Sequence, residues 1–222
     1  MFGTVGKFVA EKLPRVNAVT ALIIRRQTRR VLYPTALMLL FTSLTRLESI
    51  VFEPWRQWGE AAAWGMDLVI SFIIEIGLPT QLKRLTIFED FNTHFAASLQ
   101  HAGLFSDHVE LLRSRNPRLA SIFARSALEF ERLHVSYMID ARDFFQEIHP
   151  HWAWHRLKCL AITSNILLCS KNPHIDCLAM LRQAGLVALK MPSLQTMTVW
   201  NAVQEQAWAF IYRGKNPRPT IS

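Results

Sequence analysis

Six times along the chain an apolar residue is followed by others three and five positions later. The sets are Val19, Leu22, Ile24; Leu47, Ile50, Phe52; Leu82, Leu85, Ile87; Phe130, Leu133, Val135; Leu157, Leu160, Ile162; and Leu194, Met197, Val199. The last two residues of each set are two apart, so a short strand points both to one side, and the first packs the turn leading in. Each set therefore predicts one rung of a sheet. The first members lie 28, 35, 48, 27 and 37 residues apart. That period is irregular and longer than the ~20 to 29 residues of leucine-rich repeats.

Segments with helical spacing precede most rungs: Phe8 to Leu13, Pro34 to Ser43, Met66 to Gly77, Pro117 to Glu129 and Ile175 to Met191. Pro34 and Pro117 suit a first helical turn, where the missing amide costs no hydrogen bond. The most apolar stretch, Met66 to Leu78, contains Asp67 and Glu75 and falls short of the ~20 residues of a membrane span, so it reads as a buried helix. Strands alternating with helices favour parallel connections. The predicted fold is α/β, a degenerate leucine-rich-repeat-like solenoid with a short parallel sheet of about six strands and helices on the convex side. It forms a single repeat-like domain over residues 1–213, with a flexible tail over 214–222. The fifth unit alone completes the leucine-rich pattern with an asparagine, Asn165, whose side chain is expected to bond backbone in the turn after the strand.

Residues between and after each inward-facing pair point to the other side of the sheet, the concave face of a solenoid. They are Ile23 and Arg25, Val51 and Glu53, Thr86 and Phe88, His134 and Ser136, Ala161 and Thr163, and Thr198 and Trp200. Arg and Trp are enriched as anchors in protein interfaces. Just after the second rung, Trp55 sits in Glu53–Trp58, a loop with two tryptophans, a proline and an arginine. The candidate partner-binding residues are Arg25, Glu53, Trp55, Phe88, His134, Thr163 and Trp200. Their competing role is to cover the sheet and its loops.

With 25 Lys and Arg against 17 Asp and Glu, the chain carries a net charge of +8, which favours acidic partners. Arg25, Arg26, Arg29 and Arg30 are the densest positive cluster. They make nucleic-acid binding the second-ranked function, although a solvated face or salt bridges to Glu53, Glu89 and Asp90 is the favoured account of the cluster. No helix-turn-helix, RNA-recognition or zinc-finger pattern accompanies the charge. The three cysteines, Cys159, Cys169 and Cys177, match no disulfide framework, and no signal peptide opens the chain, which points to the cytoplasm or nucleus. No membrane association is expected.

Neither His149, His151 and His155 nor Cys169, His174 and Cys177 has the paired short spacings of a zinc site, so no metal is expected. Glu89 and Asp90 are adjacent and would point to opposite faces of a strand, which disfavours paired acid and base work. Nucleophile elbows and glycine-rich phosphate loops are missing from the sequence. The expectation is a binding protein without a cofactor, not an enzyme.

Several stretches resemble a family of uncharacterised fungal proteins in which an F-box is followed by a leucine-rich-repeat-like region. They are EKLPRVNAVTALIIRRQTRR from Glu11, LTRLESIVFEPWRQW from Leu44, LKRLTIFEDFN from Leu82, FARSALEFERLHVSYMIDARDFF from Phe123, LKCLAITSNIL from Leu157 and KMPSLQTMTVWNA from Lys190. EPWRQW and FEDFN are far more specific than apolar spacing. The resemblance implies that the chain corresponds to the carboxy-terminal half of such a protein, since the F-box would precede Glu11. It also implies a role in selecting substrates for a ubiquitin ligase.

Overall fold

A computed structural model describes residues 13–28, 34–56, 60–89, 101, 113–146, 148–169, 173–203 and 206–214. Within them the rungs become strands: β1 Ala21–Ile24, β2 Ser49–Phe52, β3 Arg84–Phe88, β4 Arg132–Ser136, β5 Cys159–Thr163 and β6 Thr196–Val203. These six are parallel and lie side by side in chain order. The register aligns Leu22, Ile50, Leu85, Leu133, Leu160 and Met197 in one row and Ile24, Phe52, Ile87, Val135, Ile162 and Val199 in another.

The strand number differs from the expected six. A seventh strand, β7 Gln206–Arg213, folds back antiparallel on β6. Its sequence, QAWAFIYR, lacks the three-and-five spacing because a hairpin strand needs no turn residue to lead it in. Most of its side chains stay exposed. The tail expected over 214–222 lies, from residue 215 onward, outside the described residues.

Beneath each strand the same local bonding recurs. The carbonyls of Thr20, Glu48, Lys83, Glu131 and Lys158 each accept from two consecutive amides of the next rung, at 2.8–3.2 Å. The first apolar residue of a set closes a turn, as Leu47 does on Leu44, Leu82 on Pro79, Phe130 on Ala127 and Leu194 on Met191. All four are buried.

One face of the sheet is covered by helices: α1 Pro34–Ser43, α2 Glu60–Phe72 with a π-helical turn Ile73–Gly77, α3 Pro117–Ser126, α4 Ala141–Gln146, α5 Ile166–Cys169 and α6 Pro173–Ala188. Their inner side chains join the two strand rows in one core. In α3, Asn116 caps the helix by accepting from the Leu119 amide, Pro117 occupies the first turn, and Leu119, Ile122 and Phe123 face the sheet. The short helices α4 and α5 were not anticipated, and the helix expected over Phe8 to Leu13 falls mostly outside the described residues.

The reading of Met66 to Leu78 as a buried helix needs correction. Ile70, Ile73 and Ile74 enter the core, but Trp64, Leu68, Phe72 and Ile76 are exposed along the opposite side. One side of the segment thus enters the core, where Asp67 is bonded to Arg113 and Asn116, and the other side is exposed.

Candidate functional site

The other face of the sheet carries no helix among the described residues, and strand alternation sorts its side chains into three rows. The middle row is Ile23, Val51, Thr86, His134, Ala161, Thr198 and Ile211. It is largely apolar or small. Burial, and after it the neighbouring Arg132, holds the His134 imidazole below its ordinary pKa. Toward the strand starts lies a row that includes Arg84, Arg132, Cys159, Thr196 and Arg213, whose three arginines are exposed.

At the strand ends the third row runs Phe88, Ser136, Thr163, Trp200. Two large rings flank two small hydroxyl residues, leaving a gap that Tyr137 fills. Its ring packs edge-on against Phe88 and against Trp200, with centroids 5.4 Å apart in each case. Tyr137 is the one non-glycine residue with positive φ among the described residues, at 63°. This left-handed turn ends β4 and directs the ring back over the row. The Tyr137 amide donates to Thr163 Oγ1 at 2.7 Å, and its hydroxyl donates to the Ala202 carbonyl at 3.2 Å. Ser136 and Thr163 are consequently buried.

Beyond the strand ends a ladder of polar side chains ties successive rungs together. Asp140 accepts from the Arg142 amide, the Ser164 hydroxyl and the Asn165 amide, at 2.8–2.9 Å. Asn201 donates to the Ser164 carbonyl at 2.8 Å and to the Asn165 side chain at 3.3 Å. The backbone bond expected of Asn165 is thus made by Asn201, one rung later, and the Asn165 oxygen serves as an acceptor.

Further along the margin, a buried ionic cluster joins β3 to α2 and to the segment before α3. Arg113 bonds both Glu89 and Asp67, and Asn116 donates to Asp67 at 2.6 Å. Among the described residues, one oxygen of Glu89 and the Nε of Arg113 have no hydrogen-bond partner. Burial raises the Glu89 carboxyl to about 8, while the nearby Arg56 charge acts in the opposite direction. On the far side of α3, Arg115 forks onto the buried Asp143.

The candidate residues divide into two groups. Phe88, His134 and Trp200 come together on the open face, whereas Thr163 is only 2% exposed and acts as an internal acceptor beneath Tyr137. Thr163 is therefore corrected from a contact residue to a support. Arg25, Glu53 and Trp55 form a separate group at the β1 end: Arg25 pairs with Glu53 at 3.3 Å, and the Trp55 indole donates to the Arg26 carbonyl at 3.0 Å. Arg29, Arg30 and Asp90 lie outside the described residues, and Glu89 pairs with Arg113.

Tyr137 was missed because the rung spacing ends at Val135, two residues before it, and a left-handed tyrosine has no sequence signature. Arg84 and Arg132 were legible. They precede the inward-facing pair by one, which alternation assigns to the same open face. Among the described residues no three His, Cys, Asp or Glu side chains gather as a metal site, and no helix is long and apolar enough to cross a membrane.

The model of a family of unknown function, DUF6546, matches residues 77–222, well over half of the chain. The chain belongs to DUF6546. No curated protein and no solved structure matches it significantly. The DUF6546 match contains β3 to β7, the Phe88–Tyr137–Trp200 cluster and the three exposed arginines. The Arg25–Glu53–Trp55 group lies before it.

Proposed function

We propose that this DUF6546 chain is a protein-recognition module whose partner lies across the open face of the sheet. The observation that carries the reading is the fixed aromatic cluster on that face. Tyr137 adopts a costly backbone conformation, on the order of 1–3 kcal/mol for such sites, to sit between Phe88 and Trp200. Rigid aromatic side chains that lose little entropy on contact are what interfaces favour. The consecutive strand order and the double bonding at each rung support the further reading of the fold as a degenerate, leucine-rich-repeat-like solenoid, with the open face concave. The resemblance to fungal F-box and leucine-rich-repeat-like proteins supports a role as the substrate-selecting half of a ubiquitin-ligase adaptor. The reading assigns the chain no reaction and no cofactor.

A photo-crosslinking residue at Thr198 should capture a defined partner in cells, and capture should disappear when Ala161→Trp fills the middle row. The same crosslinker at Arg118, on the helical side, should not capture it. Capture that ignores Ala161→Trp removes the open face from the proposal. The adaptor role predicts that ubiquitin on the captured partner falls when the protein is deleted, and unchanged ubiquitination rejects it.

A further inference from the structure

The charges on the two sides of the sheet's leading margin are arranged differently. On the side that alternation assigns to the inward-facing rows, Glu48, Lys83, Glu131 and Lys158 alternate in sign from strand to strand, with Lys83 bonded to Glu48 at 3.0 Å and Lys158 to Glu131 at 2.9 Å. Glu131 is held below its ordinary pKa, first by the Lys158 hydrogen bond. One residue later, on the open face, the signs do not alternate. Arg84 and Arg132 stand directly opposite each other in the register of β3 and β4, and Arg213 stands opposite Thr196. No described acidic side chain pairs with any of the three. Like charges directly opposite in a sheet repel, costing a few tenths of a kcal/mol or more. Among the described residues, the margin thus has charges balanced internally on one side and uncompensated on the other.

We infer that the open face takes an extended acidic segment of a partner protein. A carboxylate is held between Arg84 and Arg132, and an apolar side chain rests on the Phe88–Tyr137–Trp200 cluster. This rests on the recognition reading and adds the partner's chemistry to it. Arginine guanidinium groups match carboxylate geometry with paired hydrogen bonds, and two of them on neighbouring strands are only about 5 Å apart at the backbone. From Arg84 to Phe88 along β3 the span is roughly 13 Å, so an extended ligand places its acidic and apolar residues about four positions apart. Arg213, three strands beyond Arg132 and so roughly 14 Å away, suits a second acidic residue. In the middle row the hydrogen-bonding side chains are Thr86, His134 and Thr198, and the other four, Ile23, Val51, Ala161 and Ile211, are apolar, which offers little for bases or sugars. It suits the side chains of a peptide.

The test is selection of a displayed library of random short peptides on the full chain, followed by binding of the selected peptides to variants. Enriched sequences should carry Asp or Glu with Trp, Phe or Leu about four residues away. Their affinity should fall about tenfold or more with Arg84→Glu and Arg132→Glu together, and return when the peptide's acidic residue becomes lysine. Both substitutions are at exposed positions, and circular dichroism of the variant checks the fold. Enriched peptides without acidic residues that are still blocked by Ala161→Trp overturn this inference and leave the recognition reading standing. Failure to select any peptide that Ala161→Trp blocks overturns both. Binding of single-stranded oligothymidylate that is lost in the arginine double variant, with no acidic peptide enriched, assigns the surface to nucleic acid and overturns the inference.

Discussion

Replacing Tyr137 separates what its ring contributes from what its backbone costs. Tyr137→Ala removes two edge-to-face ring contacts and the hydroxyl bond to the Ala202 carbonyl, and it uncovers Ser136 and Thr163. Each aromatic pair is worth about 0.5–1.5 kcal/mol and the hydrogen bond a similar amount, so the expected loss is roughly 2–4 kcal/mol. For a chain of this size that lowers Tm by roughly 6–12 °C. Tyr137→Gly loses the same contacts, but glycine adopts a φ of 63° without the penalty alanine meets. It should therefore be more stable than Tyr137→Ala by about 1 kcal/mol, although glycine ordinarily destabilises by enlarging the freedom of the unfolded chain. Tyr137→Phe keeps the ring and should cost under about 1 kcal/mol, because the Ala202 carbonyl is only half-buried. Urea denaturation of the three variants measures these differences directly. If alanine proves as stable as glycine, position 137 carries no conformational cost, and the argument that the ring is held in place against strain fails.

Three further outcomes follow from the interior. Glu89, raised to about 8 by burial, keeps a proton in the folded chain that the unfolded chain releases near its ordinary 4.5. Stability from this group is complete below the lower value and declines by on the order of a few kcal/mol as pH rises through the upper one. The urea midpoint should drop between about pH 5.5 and 8.5, and Glu89→Gln should flatten that drop; equal slopes would refute the assignment. Trp154 is fully buried and its indole donates to the Ala124 carbonyl at 2.9 Å, so Trp154→Phe should cost roughly 2–4 kcal/mol by denaturation, and a loss below about 1 kcal/mol would contradict it. A side chain at Gly214 would meet the Leu194 carbonyl oxygen at 2.3 Å, where the Gly214 amide donates to the Gln195 carbonyl. Gly214→Ala should therefore speed hydrogen exchange in β7 about tenfold or more while sparing β3 to β5, and unchanged β7 protection would count against this.

The parts of the fold that were legible are those where one residue's environment is set by its own rung. Leu133 and Val135 are two apart and both fully buried because alternation in a strand covered on one side requires it. Leu157 is buried because a turn into such a strand needs an apolar wedge. Six sets of this kind aligned without error, even though 27 to 48 residues separate them in the chain. The lengths of the connections do not enter the rule. What was not legible depends on several rungs at once. Thr163 follows Ile162 by one and alternates outward, yet it is buried, because Tyr137 from one neighbouring strand closes over it against Trp200 from the other. The helix over Met66 to Gly77 formed, but the burial expected of Met66 to Leu78 failed on its outer side for the converse reason: apolarity measures a wish for burial, and whether the outer side finds a cover is decided by other elements. The candidate site lies where both kinds of information meet. Single-rung alternation places Arg84, Phe88, Arg132 and Trp200 on one face, but only the lateral register makes Arg84 and Arg132 neighbours and leaves a ring-sized gap between Phe88 and Trp200. A recognition surface spread across parallel strands is therefore composed of residues each rung specifies and of adjacencies that no rung contains.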